Sequence, residues 1–233
     1  MRVAHVITRL IVGGAQENTV ATVFGLHRKA DVTVRLYSGP TTGPEGSLES
    51  GVLDIEGLLH LIPSLIRPVH PLRDFLAYCH LVREFKNFRP DIVHTHSGKA
   101  GLIGRLAAKR AGVPLIIHSI HGPSFGPFQG RIANALFSEA ERFAGSRTDH
   151  FITVANAMRD QYLAAGIGSR EDYTQIFSGF PLEPYLATEN APSIRKKLGL
   201  LNDDFVVGKI ARLFEFKGHE DLFAVAPRLA KRV

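Results

Sequence analysis

The chain has 233 residues, 45% of them hydrophobic and 21% charged, which is ample for a packed core and excludes a disordered or fibrous chain. A single cysteine, Cys79, excludes a disulfide framework and a cysteine zinc site; in an apolar helical pattern it reads as a small core residue. The net charge of +6 favours phosphate-bearing partners, but no nucleic-acid partner is expected, because the cations are scattered and the aromatic-plus-basic signatures of common RNA-binding folds are missing.

In chain order, residues 3–7 read as a buried strand, Gly13-Gly14 as a turn and residues 15–29 as a helix. Residues 32–37 read as a second strand, and 38–51, rich in Gly, Pro, Ser and Thr, as a loop. Residues 58–62 suggest a third strand. In 72–88 the apolar residues Leu72, Phe75, Leu76, Cys79, Val82 and Phe85 recur at the three-and-four spacing of a helix with one apolar stripe. Strands follow at 92–96, 114–118, 150–154 and 173–177, and helices at 100–111, 129–144 and 156–165. This alternation predicts an α/β fold, a Rossmann-like parallel sheet with helices on both faces. Ligands of such sheets bind at the carboxyl ends of the strands.

The composition changes at 178–192, where Gly179, Pro181, Pro184 and Pro192 indicate a linker. A short helix at 194–198, a strand at 205–210 and a helix at 221–231 then read as the beginning of a second Rossmann-like domain. The expected division is 1–178, a linker with a short helix at 179–200, and a truncated second domain at 201–233. Some 40 residues are too few for such a domain by themselves, so the natural chain is expected to continue. The N-terminus reaches Gly13-Gly14 too soon for a signal peptide, and no apolar run attains the roughly 18 residues of a membrane span. A cytoplasmic protein is expected, and a peripheral contact with the inner membrane face is compatible with its charge.

Several loops could carry chemistry. Gly13 and Gly14 lie between the first strand and its helix, where glycine permits close backbone approach and free N–H groups at the helix start can face a phosphate. Arg9 and Gln16 flank that turn. Ser97-Gly98-Lys99-Ala100 resembles a phosphate loop but fails as a Walker A, which needs Gly where Val93 stands and Ser or Thr where Ala100 stands. Gly101 and Gly104 instead let their helix approach the sheet. His94, His96, His118 and His121 fall at two strand ends, with His94 and His96 on one strand face; no cysteine or carboxylate pair completes a metal site, and none is expected. His121-Gly122 sits past a strand end, where an imidazole can donate to a sugar hydroxyl or a phosphate. Finally, Arg212 and Lys217 flank a strand-to-helix loop, a pair suited to clamping a diphosphate.

Together these segments resemble glycosyltransferase family 4, retaining enzymes of the two-domain GT-B type. The resemblance rests on ITRLIVGGAQENTV (7–20), RPDIVHTHSGKAGLIGRLAA (89–108), GVPLIIHSIHG (112–122), FITVANAM (151–158) and VGKIARLFEFKGHEDL (207–222), in that order. It implies a transferase that moves a sugar from a nucleotide-diphosphate donor to an acceptor the sequence does not identify. It also implies that Gly13 and Gly14 meet the donor phosphates, that Arg212 and Lys217 neutralise the leaving diphosphate, and that His121 is the catalytic cleft histidine, with His118 its fallback if the register differs. Arg9, Gln16, His96, Ser97, His118 and Gly122 are candidate cleft-lining residues. No cofactor is implied. The family's paired acidic residues would lie past Val233, so this chain alone is expected to be inactive. The alternatives are a nucleotide- or partner-binding module without turnover and a sugar-nucleotide epimerase on the same two-domain plan.

Overall fold

The computed structural model describes residues 1–180, 182–186, 192–201, 203–211, 213 and 217–229. They fall into two compact units, Met1–Phe180 and Pro181–Val233. In the first unit seven strands form one all-parallel sheet: β1 (Arg2–Ile7), β2 (Thr33–Ser38), β3 (Leu59–Leu61), β4 (Ile92–His96), β5 (Leu115–Ile120), β6 (His150–Thr153) and β7 (Tyr173–Gln175). The helices between them are α1 (Gly14–His27), α2 (Glu49–Leu53), α3 (Pro71–Phe88), α4 (Gly98–Ala111), α5 (Arg131–Gly145) and α6 (Asn156–Ala164).

The strand order is β3-β2-β1-β4-β5-β6-β7. The chain winds outward from β1 to β3, crosses back through α3 to β4, then winds outward on the other side. The reversal between β1 and β4 is the point where open α/β sheets place their ligands. Because strand side chains alternate, each strand feeds two cores. Val3 and Ile7 of β1 join Val23 of α1 and Leu36 of β2 on one face. Ala4 and Val6 join Leu81 and Phe85 of α3, Val93 of β4 and Ala107 of α4 on the other. A third cluster, with Ile120, Phe151 and Tyr162, lies toward the β7 edge.

Local sequence sets the element ends. Pro71 occupies the first turn of α3, where its missing N–H costs nothing. Arg89 ends that helix in the left-handed region at φ 52°, and Pro90 follows. α4 stops at Gly112, φ 78°, a conformation that glycine adopts without the Cβ penalty. Gly101 and Gly104 of α4 do bring the helix onto the sheet: a Cβ on Gly101 would lie 2.4 Å from the His118 ring, and one on Gly104 2.8 Å from Thr95.

Four expectations are corrected. The apolar stripe expected to bury α3 does so only at Val82 and Phe85. Leu72, Phe75 and Leu76 are exposed and Cys79 is an exposed free thiol, while Ala77, Leu81, Phe85 and Phe88 face the core. β5 runs two residues past its expected end, to Ile120. The 38–51 loop ends in the short helix α2. In the second unit, α7 (Glu183–Leu186), α8 (Pro192–Lys197) and α9 (His219–Leu229) are helical, but residues 205–210 form no strand. Phe205, Val207 and Ile210 are exposed, and no other strand is described in this unit to give the segment a ladder partner.

Candidate functional site

At the carboxyl ends of β4 to β7, on the α1 side of the sheet, lies a cavity of about 500 Å³. Asn18, Ala21 and Thr22 of α1 form one wall, and Ile152, Val154, Ile176, Phe177 and Phe180 form an apolar one. Between them stand His94, His96, Ser119 and His121.

The register of the parallel strands assembles this polar floor. His5 of β1 is directly opposite His94 of β4, and His96 is opposite Ser119 of β5. His94, His96, Ser119 and His121 share one face by the two-residue period. His5 Nδ1 lies 2.9 Å from His96 Nε2, and His96 Nδ1 lies 3.0 Å from His121 Nε2. His94 Nε2 bonds Ser119 Oγ at 2.7 Å. Burial holds the His5 and His121 imidazoles down to about 4 from their usual 6.5. Burial, then the neighbouring imidazoles, also lowers His94 and His96 well below the usual range. All four are therefore neutral near pH 7.

Neutrality fixes the direction of the chain. A neutral His96 has one N–H and can donate only one way. If it donated to His5, the second nitrogen of His5, Nε2, would carry a proton; that atom is buried without a hydrogen-bond partner. A buried unpaired donor costs about 1–3 kcal/mol, and a bare acceptor is tolerated better. The favoured arrangement is His5 Nδ1–H to His96 Nε2, then His96 Nδ1–H to His121 Nε2. His121 then carries its proton on Nδ1 as a free donor at the cavity.

His118 is not part of this cleft. Because β5 extends to Ile120, His118 is an interior strand residue on the opposite face. It is buried, bonds Thr95 Oγ1 at 2.9 Å and packs against Gly101 of α4. The fallback register is thereby corrected. Arg9 bonds the Thr42 carbonyl and pairs with Glu45 at 3.3 Å, which ties it to the 38–51 loop. Neither Arg9, Gln16, Ser97 nor Gly122 lines the cavity. Ser97 is instead the N-cap of α4, at φ 66°. Gly13 and Gly14 open α1, and neither is left-handed: Gly13 has an extended φ of 177°. A Cβ on Gly14 would meet nothing within 4 Å, and one on Gly13 only the flexible end of Gln16, so the α1 N-terminus is open to a ligand. In the second unit Lys217 is exposed just ahead of α9, and Lys209 Nζ bonds the Gly218 carbonyl at 2.6 Å. Arg212 lies outside the described residues.

Sequence reasoning missed His5 and Ser119. His5 stands in the middle of an apolar strand, and only its register opposite His94 shows that it closes the cluster. The ligand nitrogens of His5, His94 and His96 lie within 4.8 Å of one another, and among the described residues no carboxylate joins these imidazoles.

Residues 12–183 match the family model described as Glycosyltransferase Family 4. The chain is 28% identical over 221 residues to the UDP-Gal:alpha-D-GlcNAc-diphosphoundecaprenol alpha-1,3-galactosyltransferase of Escherichia coli, covering 93% of this chain and 55% of that protein. It is 31% identical over 167 residues to the UDP-N-acetylglucosamine--N-acetylmuramyl-(pentapeptide) pyrophosphoryl-undecaprenol N-acetylglucosamine transferase of Shewanella amazonensis, covering 68% and 44%. Among solved structures, a glycosyltransferase from Rickettsia africae ESF-5 superposes with a TM-score of 0.68 at 17% identity, over 99% of this chain and 57% of that one. The chain thus spans about half the length of the curated relatives it matches.

Proposed function

The chain belongs to glycosyltransferase family 4, and from that membership we propose that the protein transfers a sugar from a nucleotide-diphosphate sugar to an acceptor, with retention of the anomeric configuration. The observation that carries this reading is the cleft at the carboxyl ends of the strands, where His121 presents a neutral N–H donor across from Asn18 and Thr22 of α1. In this reading residues 1–178 form the acceptor-side domain and 201–233 open the donor-binding domain, joined by 179–200.

The donor bond that breaks joins the anomeric carbon to the diphosphate oxygen, so the leaving group gains negative charge as the sugar becomes oxocarbenium-like. Groups that stabilise this charge more in the transition state than in the ground state accelerate the reaction. Gly13 and Gly14 would offer backbone N–H groups and the positive helix end to the donor phosphates. Arg212 and Lys217 would neutralise the leaving diphosphate, a role that needs no cofactor. His121 would donate its Nδ1–H to the reacting sugar or the phosphate.

For the acceptor, the E. coli and Shewanella relatives act on undecaprenol-linked diphosphates, and we extend that to a lipid-borne acceptor here. No helix among the described residues is long and apolar enough to cross a membrane; in our reading the enzyme meets such an acceptor at the cytoplasmic membrane surface. The test is a transfer assay on a chain carrying both domains, with a panel of nucleotide sugars and a lipid-diphosphate acceptor. His121→Ala should lower kcat by about a hundredfold or more, and Arg212→Ala or Lys217→Ala should lower kcat/KM by a similar factor. Near-normal turnover in both cation variants would remove the clamp from the mechanism.

A further inference from the structure

Two helices of the first unit carry an apolar stripe on the wrong side. On α3, Leu72, Phe75, Leu76 and Cys79 recur at i, i+3, i+4 and i+7, and all four are exposed. At 100° per residue this stripe lies roughly opposite the buried one formed by Ala77, Leu81, Phe85 and Phe88. α5 repeats the arrangement. Ile132, Leu136 and Phe143 share one face and are 79%, 65% and 54% exposed, whereas the face turned inward holds Ser138, Glu141, Ala144 and Gly145. A helix apolar on its solvent side while a glutamate is buried beneath it inverts the usual pattern.

The two helices lie on the same side of the sheet, one on each side of α4. α3 and α5 both pack against α4, on the face of the sheet away from α1. Their stripes begin in the first turns, Leu72 to Leu76 and Ile132 to Leu136. Helices that follow parallel strands start at the carboxyl edge of the sheet, which is the edge where the His96–His121 cleft opens. Large apolar side chains exposed in a row along a helix mark an interaction site.

The charges beside the stripes select the partner. The exposed polar residues of α3 are Arg73, His80, Arg83, Lys86 and Asn87, with no acid among them. Asp74 is engaged by Lys99. On α5, Arg131 opens the helix, the exposed Glu139 is paired with Arg142, and the Arg147 guanidinium stacks 3.7 Å from the centre of the Phe143 ring. Leu, Ile and Phe flanked by cations is the pattern of helices that lie in an anionic membrane interface.

We propose that the exposed faces of α3 and α5 dock the protein on an anionic lipid bilayer, with the side of the sheet that these helices cover turned toward it. The surface gives physical form to the lipid-borne acceptor proposed above and rests on that reading only for its purpose. Cys79, the sole cysteine, is exposed within the α3 stripe and is a ready reporter. A polarity-sensitive fluorophore on Cys79 should shift to the blue on adding phosphatidylglycerol–phosphatidylcholine vesicles and not with phosphatidylcholine alone. In flotation assays of the unlabelled protein, Phe75→Ser and Leu136→Ser should each weaken vesicle binding about tenfold, and added salt should weaken it further. Both positions are exposed, so far-UV circular dichroism should stay unchanged. Binding that survives the double variant overturns the proposal, as does failure to bind, or self-association through these same residues in place of vesicle binding. Transfer to a short-chain, water-soluble acceptor is measured separately. If it fails while vesicle binding holds, the functional reading falls and the docking surface stands.

Discussion

At the scale of single residues, the neutral histidine cluster should make stability depend on pH. His5 has no exposed surface, and its pKa falls from the usual 6.5 to about 4 on folding; His121 shows the same displacement. The folded value lies below the unfolded one, so between these values the unfolded chain takes up protons that the folded chain refuses. Above pH 6.5 both states are neutral and the cluster adds no pH dependence. As pH falls from 6.5 toward 4, each such imidazole removes stability with a limiting slope of about 1.4 kcal/mol per pH unit. Urea unfolding at pH 7 and pH 5 should therefore show a clear loss at the lower pH, and His5→Leu should flatten that loss. A midpoint that does not move between pH 7 and pH 5 would mean that these rings are solvated or paired in a way the geometry does not provide.

At the scale of elements, the buried link between α4 and α5 is the feature most sensitive to substitution. Arg105 is fully buried on α4; its guanidinium bonds Glu141 of α5 at 2.7 Å, and its Nε donates to the Gly101 carbonyl at 2.8 Å. Removing one partner of such a pair leaves the other charge stranded, which costs about 3–5 kcal/mol. Glu141→Ala should lower the unfolding free energy by that order, and Glu141→Leu with Arg105→Met together by much less. A double-mutant cycle in urea tests this, and equal losses in the single and double variants would count against it. The pair also shows what sequence periodicity can and cannot reveal. Strands and helices of the first unit were legible because apolar runs alternate with amphipathic stretches. The face each helix buries was not legible on α3, where Leu72, Phe75, Leu76 and Cys79 form a cleaner stripe than the true core residues and point outward. Composition records which residues are apolar, but not which of two apolar faces meets the sheet. The same limit explains the site. His121 and His96 could be named from motifs at strand ends, whereas His5 needed the β1–β4 register. His118 needed the end of β5 located to within a residue, because one step moves a side chain to the other face.

At the scale of the whole molecule, stability is concentrated in the first unit. All three hydrophobic clusters lie within Met1–Phe180. Among the described residues of the second unit none is buried, and Phe205, Ile210, Leu213 and Phe223 are exposed. A unit that removes so little apolar surface from water gains little to offset its conformational entropy. The seven-strand sheet, by contrast, is complete within residues 1–180 and ends at β7. A chain of residues 1–180 should therefore fold, with a thermal midpoint within about 2–4 °C of the 233-residue chain, the shift expected for about 1 kcal/mol or less at this size. Circular dichroism melts of the two chains, read in the far and near ultraviolet, make the comparison. A 1–180 chain that aggregates or melts without cooperativity would show that residues after 180 supply stability that their exposure does not reveal. If the prediction holds, the 1–180 chain becomes the form in which vesicle docking by α3 and α5 can be measured free of residues 181–233.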